Sequence, residues 1–270
     1  MDTYEKVYRD IDRASTQIQA RTGKDLKTWG EVFDQPTVMT LHRMLRAGIL
    51  KSLDHPLKTG KEANVFKGTM EDDLDVAVKV YRVQTATFRH ILKYIEGDPR
   101  FRNVPRDRRE LVHAWARKEY RNLERFRQAN VDVPIPYKHL NNVIVMEYLA
   151  NDDGPARAMK EEPPTDPQAV FEKLWSDYTK MLDGARSVHA DFSEYNILMP
   201  LGKPRVIDVG QAVLDTHPMA EEFMQRDIRV FAKYFRSLEV EADEATLIAE
   251  AQSIMRAHKN EDPDAEPEPL

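Results

Sequence analysis

Cysteine is absent from the 270 residues, which removes disulfides, thiolate metal sites and cysteine nucleophiles together. No apolar run approaches the roughly 20 residues that a membrane-spanning helix needs. The opening stretch, MDTYEKVYRDIDRASTQ, is charged and lacks the apolar heart of a secretory signal, so the expected location is cytoplasmic with no membrane partner. A general basic excess is lacking too: the net charge of -6 argues against a protein that coats nucleic acid with its whole surface. That average hides a local exception, because residues 100–127 hold ten Arg or Lys against four Asp or Glu. With 41% hydrophobic and 32% charged residues the chain is of the ordinary folded type, long enough for one two-lobed domain or two small ones.

The most informative stretch is 187–213, SVHADFSEYNILMPLGKPRVIDVGQAV. It contains His189-Ala190-Asp191, then Asn196 five residues after Asp191, then Asp208 before Val209-Gly210. Protein kinases show this grammar as HRDxxxxN and DFG, where the first Asp orients the attacking hydroxyl and the Asn and second Asp hold Mg²⁺. Mg²⁺ is a hard cation that takes one or two carboxylates plus phosphate and water oxygens, and Asn196 and Asp208 supply that much. Apolar flanks at Ile197-Leu198-Met199 and Val206-Ile207, with Gly202-Lys203-Pro204 between, predict a short hairpin that sets the two ligands side by side. The plain alternative is a set of Asx-type turns and a strand end.

HADFSEYNIL followed by IDVGQAV resembles the RIO family of atypical serine/threonine protein kinases, specifically the subfamily shared by archaea and eukaryotes that acts in small-ribosomal-subunit maturation. The resemblance is expected to cover residues 30 to 257. It implies a two-lobed, protein-kinase-like α+β fold with a truncated C-lobe and an N-terminal helical extension. The divisions expected are an extension over 1–50, an N-lobe over 51–150, a C-lobe over 151–258 and a disordered acidic tail over 259–270. It implies ATP with Mg²⁺, or Mn²⁺ in its place, as cofactors. Asp191 then positions the nucleophile, Asn196 and Asp208 hold metal, and Asp208 is the candidate for an aspartyl-phosphate during ATPase turnover. Ser193 and Tyr195, in the Ser-Glu-Tyr run, join the nucleotide-binding set. The implied partner is a small-ribosomal-subunit precursor with its RNA, while the protein substrate stays open. No APE triplet follows Asp208 and the C-terminal region is short, which agrees with that family and speaks against conventional peptide phosphorylation. Two rivals are a small-molecule kinase of the aminoglycoside or choline type, disfavoured by the Ser-Glu-Tyr run, and a nucleotide-sensing docking module with little turnover.

Elsewhere the chain reads as support. Residues 2–22 carry a weak apolar stripe (Tyr4, Val7, Ile11, Ile18) and predict a surface helix. The stretch 37–45 predicts an amphipathic helix stopped by Gly48, read as a lobe cap because no basic recognition helix follows it. Lys58-Thr59-Gly60-Lys61-Glu62-Ala63-Asn64-Val65 occupies the place of a phosphate-covering loop, with Lys58 and Ala63 at the outer glycine positions of the kinase pattern. The family resemblance implies phosphate contacts there; an undecorated hairpin is the alternative. A Walker A loop is excluded by Glu62 and His55. Leu74–Tyr81 alternates, placing Val76, Val78 and Val80 on one face and Ala77, Lys79 and Tyr81 on the other. In the kinase VAIK pattern the alanine makes room for adenine and the lysine reaches the phosphates; a solvated edge lysine is the alternative.

Residues 84–106 resist periodicity and read as a long mobile segment. From 107 to 129 a helix is signalled by Leu111, Trp115, Leu123 and Phe126, with Glu119 on the same stripe. A carboxylate on a buried face needs a partner, and Lys79 is the one expected. A hairpin over Asn141-Asn142 leads to Met146, Glu147 and Leu149, which the resemblance places around adenine; an ordinary buried strand ending accounts for these side chains equally well. Asn151–Pro155 reads as a linker, and helices are expected over 168–186, 219–236 and 243–258. Asp227 is either a surface acid or a brace for the catalytic loop. Arg100, Arg102, Arg106, Arg108 and Arg109 are expected to form a positive surface for RNA phosphates, with triphosphate retention or a solvated helix face as alternatives.

Overall fold

The computed structural model describes residues 33–84, 88–101, 104 and 107–259. The expected surface helix at 2–22, the residues of the acidic tail from 260 onward, Arg102 and Arg106 lie outside the described residues. Two compact units emerge. One takes in the described residues of 1–87, 105–117 and 136–148, the other those of 88–104, 118–135 and 149–270.

The first unit is built on an antiparallel sheet of order β1-β2-β3-β5-β4. Its strands are β1 (Ser52–Thr59), β2 (Ala63–Thr69), β3 (Asp75–Tyr81), β4 (Pro136–Leu140) and β5 (Val143–Glu147). Helix α1 (Gln35–Arg46) starts where Asp34 accepts the Thr37 amide proton at 3.0 Å and Pro36 pre-sets the first turn. Val38, Leu41 and Met44 of α1 share a core with Val76, Val78 and Val80 of β3 and Val143 and Val145 of β5. The helix is therefore held to the sheet by its apolar stripe, and Asn142 fastens it further by donating to the Thr37 hydroxyl at 2.9 Å.

Among the described residues the second unit contains α2 (Phe88–Ile95), the part of α3 (Arg108–Gln128) from Lys118 onward, α4 (Pro167–Asp183), α5 (Ala220–Arg236) and α6 (Glu244–Lys259). Its core is aromatic: Phe192 lies 4.9 Å from Tyr178 and 5.3 Å from Phe231, which in turn stacks on Phe171 and Trp175. The chain at 151–155, read from sequence as a linker, forms a two-strand hairpin of β6 (Ala150–Asn151) and β7 (Gly154–Pro155). No described helix is long and apolar enough to cross a membrane.

Two expectations are corrected here. The segment 84–106 is not simply a mobile loop, since α2 occupies its middle and buries Ile91, Tyr94 and Ile95. Eight residues are too few for a 3.6-residue period to stand out in sequence. Arg100 does not belong to an RNA-facing surface: only 3% exposed, it donates to the Asp98 carboxylate from Nε at 2.9 Å and Nη2 at 2.7 Å, and from Nη1 to Asn122 at 2.7 Å. Arg108 donates to the Gln84 carbonyl and Arg109 to Asp34, both at 2.8 Å, so these charges too have protein partners.

Candidate active site

The HADFSEYN sequence runs between β8 (Ser187–Val188) and β9 (Ile197–Leu198), and the Asp208 segment follows β10 (Arg205–Val206) and leads to β11 (Val213–Leu214). β9 pairs with β10 and β8 with β11, so both segments are tied at each end. The β9–β10 hairpin is the one implied by the apolar flanks, and Ile207 donates to the Asn196 carbonyl at 2.9 Å.

Ala190 has a φ of 64°, a left-handed conformation that a residue with a Cβ adopts at a cost and that its surroundings must hold. Asp227 of α5 does so. Its Oδ2 accepts the Ala190 amide proton at 2.7 Å and its Oδ1 that of Phe192 at 3.1 Å, while the Tyr178 hydroxyl donates at 3.2 Å. Arg226 donates to the Ala190 carbonyl. Burial pushes the Asp227 carboxyl up to about 7 against these donors and the neighbouring guanidinium, all of which favour the charged form. Asp227 is thus a buried brace rather than a surface acid.

Asp191 is half-buried, and its Oδ2 accepts from Asn196 Nδ2 at 2.9 Å and from Gln211 Nε2 at 3.0 Å. Asn196 Nδ2 also donates to the Asp191 carbonyl at 2.9 Å. With both acceptors on the amide nitrogen, the Asn196 carbonyl oxygen is turned away from Asp191. Asp208 has φ 60° and ψ 52° and is exposed, one residue beyond the Ile207–Asn196 backbone bond. An amide oxygen and an exposed carboxylate are the hard donors that Mg²⁺ takes, so the residues present fit that ion.

His189 is buried and orients this pair of segments. Its Nδ1 accepts the Asp191 amide proton at 3.3 Å, which leaves the ring proton on Nε2 to be donated to the Ile207 carbonyl at 3.2 Å. Burial lowers its pKa to about 4, outweighing the Asp208 charge and the Ile207 bond, so the ring is neutral at ordinary pH. Ser193 closes the loop by accepting the Asn196 amide proton at 2.9 Å. Tyr195 is 56% exposed, with Lys160 Nζ 5.9 Å from its ring centre. Gln211 and Arg226 carried no assigned role in the sequence; Gln211 lies inside the IDVGQAV run, but only folding shows that it meets Asp191.

The remaining candidates divide between the units. In the first, Lys58 and Thr59 pair with Val65 and Asn64 across a hairpin whose turn is closed by the Gly60 amide on the Ala63 carbonyl at 3.0 Å. A Cβ on Gly60 would stand 2.9 Å from that oxygen, so the turn needs glycine. Lys58, Thr59 and Lys61 are exposed and Glu62 and Val65 half-buried. Lys79 is buried on β3 with Nζ 5.2 Å from the Tyr81 ring centre, on the face it shares with Ala77. Ala77 lies opposite Met146 and Val76 opposite Glu147 in the β3–β5 register. In the second unit Leu149 is buried with its carbonyl accepting the Ala156 amide at 3.0 Å, and Glu119 is buried on α3. Lys79 and Glu119 belong to different units.

Comparison with known proteins gives a concordant result. Residues 64–248 match the RIO domain family. The chain is similar to the RIO-type serine/threonine-protein kinase Rio1 of Haloferax volcanii, with 41% identity over 235 residues covering 87% of this chain and 81% of that protein. It is similar to the Rio1 of Methanocaldococcus jannaschii at 37% identity, covering 87% and 80%, and to the human RIO1 kinase at 35%, covering 75% of this chain but 36% of the longer human one. The solved Rio2 kinase–ADP/Mg²⁺–phosphoaspartate complex from Chaetomium thermophilum aligns with a TM-score of 0.65 at 21% identity, over 88% of this chain and 74% of that one, which establishes the shared protein-kinase-like α+β fold. The family match over more than half of the chain, on a fold that ties His189, Asp191, Asn196 and Ile207, the residue before Asp208, into one hydrogen-bonded set, shows that this chain belongs to the RIO family of serine/threonine-protein kinases.

Proposed function

We propose that the chain cleaves the γ-phosphoryl group from ATP, passing it to Asp208 and then to water or to a protein hydroxyl. The observation that supports this reading best is the turning of the Asn196 amide: its nitrogen is committed to Asp191, so its side-chain oxygen faces elsewhere and, with the exposed Asp208 carboxylate, offers the hard oxygens a divalent ion takes. Asn196 and Asp208 would hold Mg²⁺, or Mn²⁺, which would supply positive charge to the phosphoryl oxygens. Asp191, held at Oδ2 by Asn196 and Gln211, would orient an attacking hydroxyl or water. In the aspartyl route an Asp208 oxygen attacks the γ-phosphorus, the β–γ bridging bond breaks, and ADP leaves with its electron pair. Water then attacks the same phosphorus, losing its proton to Asp191, and the bond from the Asp208 oxygen to phosphorus breaks with its electron pair returning to the carboxylate as phosphate is released. Lys79, on the face of β3 with Ala77, and the Lys58–Val65 hairpin are assigned to the phosphates, Met146, Glu147 and Leu149 to adenine, and Ser193 and Tyr195 to the rim of the nucleotide. The partner is read as a small-ribosomal-subunit precursor in the cytoplasm; its support is family likeness, since Arg100 no longer contributes to a basic face.

The test is incubation with γ-labelled ATP, Mg²⁺ and a generic protein substrate, following label into free phosphate, acceptor protein and an adduct on the chain. Hydroxylamine-labile label on Asp208 with phosphate release supports the reading. Turnover without such an adduct overturns the aspartyl route, and no Mg²⁺-dependent turnover overturns the whole assignment.

A further inference from the structure

Directly after Asp208 the chain makes a tight turn, Val209–Gln211, closed by the Ala212 amide on the Val209 carbonyl at 3.1 Å. The carbonyls of this turn need further partners, as helix ends do, and buried side chains of α3 provide them. Lys118 Nζ donates to the carbonyls of Gly210, at 2.8 Å, and of Ala212. Asn122, one helical turn on, donates to those of Val209 at 2.7 Å and Ala212 at 3.1 Å. Its own oxygen accepts from Arg100, which is paired with Asp98. Lys118 is 0% and Asn122 1% exposed.

A fully buried ammonium is costly, and an apolar side chain of equal volume fills such a place at lower cost. Packing alone therefore does not account for Lys118. What it grips does: the turn begins at Asp208, whose left-handed backbone aims the carboxylate, and contains Gln211, which donates to Asp191. We propose that Lys118, seated with Asn122 by the Asp98–Arg100 pair, is a positioning residue that fixes the Asp208–Ala212 turn and so sets the metal-binding carboxylate and the Gln211 contact to Asp191. This rests on the reading of Asp208 as a metal ligand.

The experiment uses the whole chain with Mn²⁺ and ADP, and compares Lys118→Met, Asn122→Leu and Asp208→Asn. Mn²⁺ half-saturation of ADP binding is measured by calorimetry, metal-free ADP affinity serves as the reference, and kcat and KM for ATP are measured alongside. Loss of a group that orients a metal ligand typically weakens metal affinity about 10- to 100-fold. Lys118→Met is expected to raise Mn²⁺ half-saturation by that order and to lower kcat with KM nearly constant, leaving metal-free ADP affinity unchanged. Asn122→Leu, which keeps the lysine, is expected to move the same quantities less and carries the test if Lys118→Met does not fold. Unchanged Mn²⁺ half-saturation in a folded Lys118→Met or Asn122→Leu variant, with Asp208→Asn abolishing it, overturns this proposal alone. Unchanged Mn²⁺ half-saturation in Asp208→Asn overturns the metal assignment beneath it.

Discussion

The Asp227 carboxylate accepts the amide proton of Ala190 at 2.7 Å, at a residue whose φ of 64° carries the chain into Asp191. A carboxylate on α5 thereby fixes a backbone conformation 37 residues earlier, and through it the position of Asp191.

Removing that brace should cost both stability and turnover. Asp227→Ala leaves the buried Ala190 and Phe192 amides without their acceptor, at about 1–3 kcal/mol each. A loss of roughly 2–6 kcal/mol in urea unfolding is expected. In the fraction that remains folded, kcat should fall more than ADP affinity, because the contacts of Asp227 are to the backbone on either side of Asp191. Wild-type stability in this variant would refute the brace.

Asp208→Asn should abolish Mg²⁺-dependent phosphate release and the hydroxylamine-labile adduct while leaving the fold intact. The position is exposed and left-handed, and asparagine is among the residues that adopt that conformation most readily. Circular dichroism and Tm should match the wild type, and retained phosphate release would show that the metal is held elsewhere.

The pairing of Lys79 with Glu119, expected from sequence, is open to a double-mutant cycle on ATP turnover. If the two act together, Lys79→Met and Glu119→Gln should each lower kcat/KM by a large factor and the double variant by little more than either. Multiplicative losses would separate their roles.

His189 and Asp227 should give opposing pH dependences. The folded pKa of His189, about 4, lies below its ordinary 6.5, so its contribution to stability is present above pH 6.5 and is lost as pH falls toward 4. The folded pKa of Asp227, about 7, lies above its ordinary 3.8, so its contribution is present below 3.8 and is lost as pH rises toward 7. At about 1.4 kcal/mol per pH unit, the two nearly offset each other between pH 4 and 6.5. His189→Gln should therefore unmask Asp227 and make stability rise on acidification through that window. Urea unfolding at half-unit pH steps decides it, and parallel profiles for the two proteins would contradict the assignment.

Arg100→Ala should behave as a core substitution. It leaves Asp98 charged, buried and unpaired, an effect of about 3–5 kcal/mol. If the chain binds RNA as proposed, the folded fraction should keep the wild-type log–log salt slope, since a lost duplex-phosphate contact would reduce the slope by about 0.9 and a buried arginine makes none. A flatter slope would return Arg100 to the surface.

The sequence by itself determined the parts whose information is local. Strand β3 is legible because side chains alternate every two residues, and α3 because Leu111, Trp115, Leu123 and Phe126 repeat with a helical period. Asp191, Asn196 and Asp208 could be singled out because all three lie within 18 residues, the last two at the ends of a hairpin short enough to infer from its apolar flanks. Only the tertiary structure decided what distant residues do to that stretch. Asp227 reads equally well as a surface acid until the chain brings it under Ala190, and Gln211 has no role until its amide meets Asp191. Arg100 and Lys118 count as surface charge in any composition argument, because the sequence carries the sign of a charge but not its depth. Burial is a property of the packed chain, and for ionic groups it decides whether they meet a solvent, a nucleic acid or a backbone carbonyl.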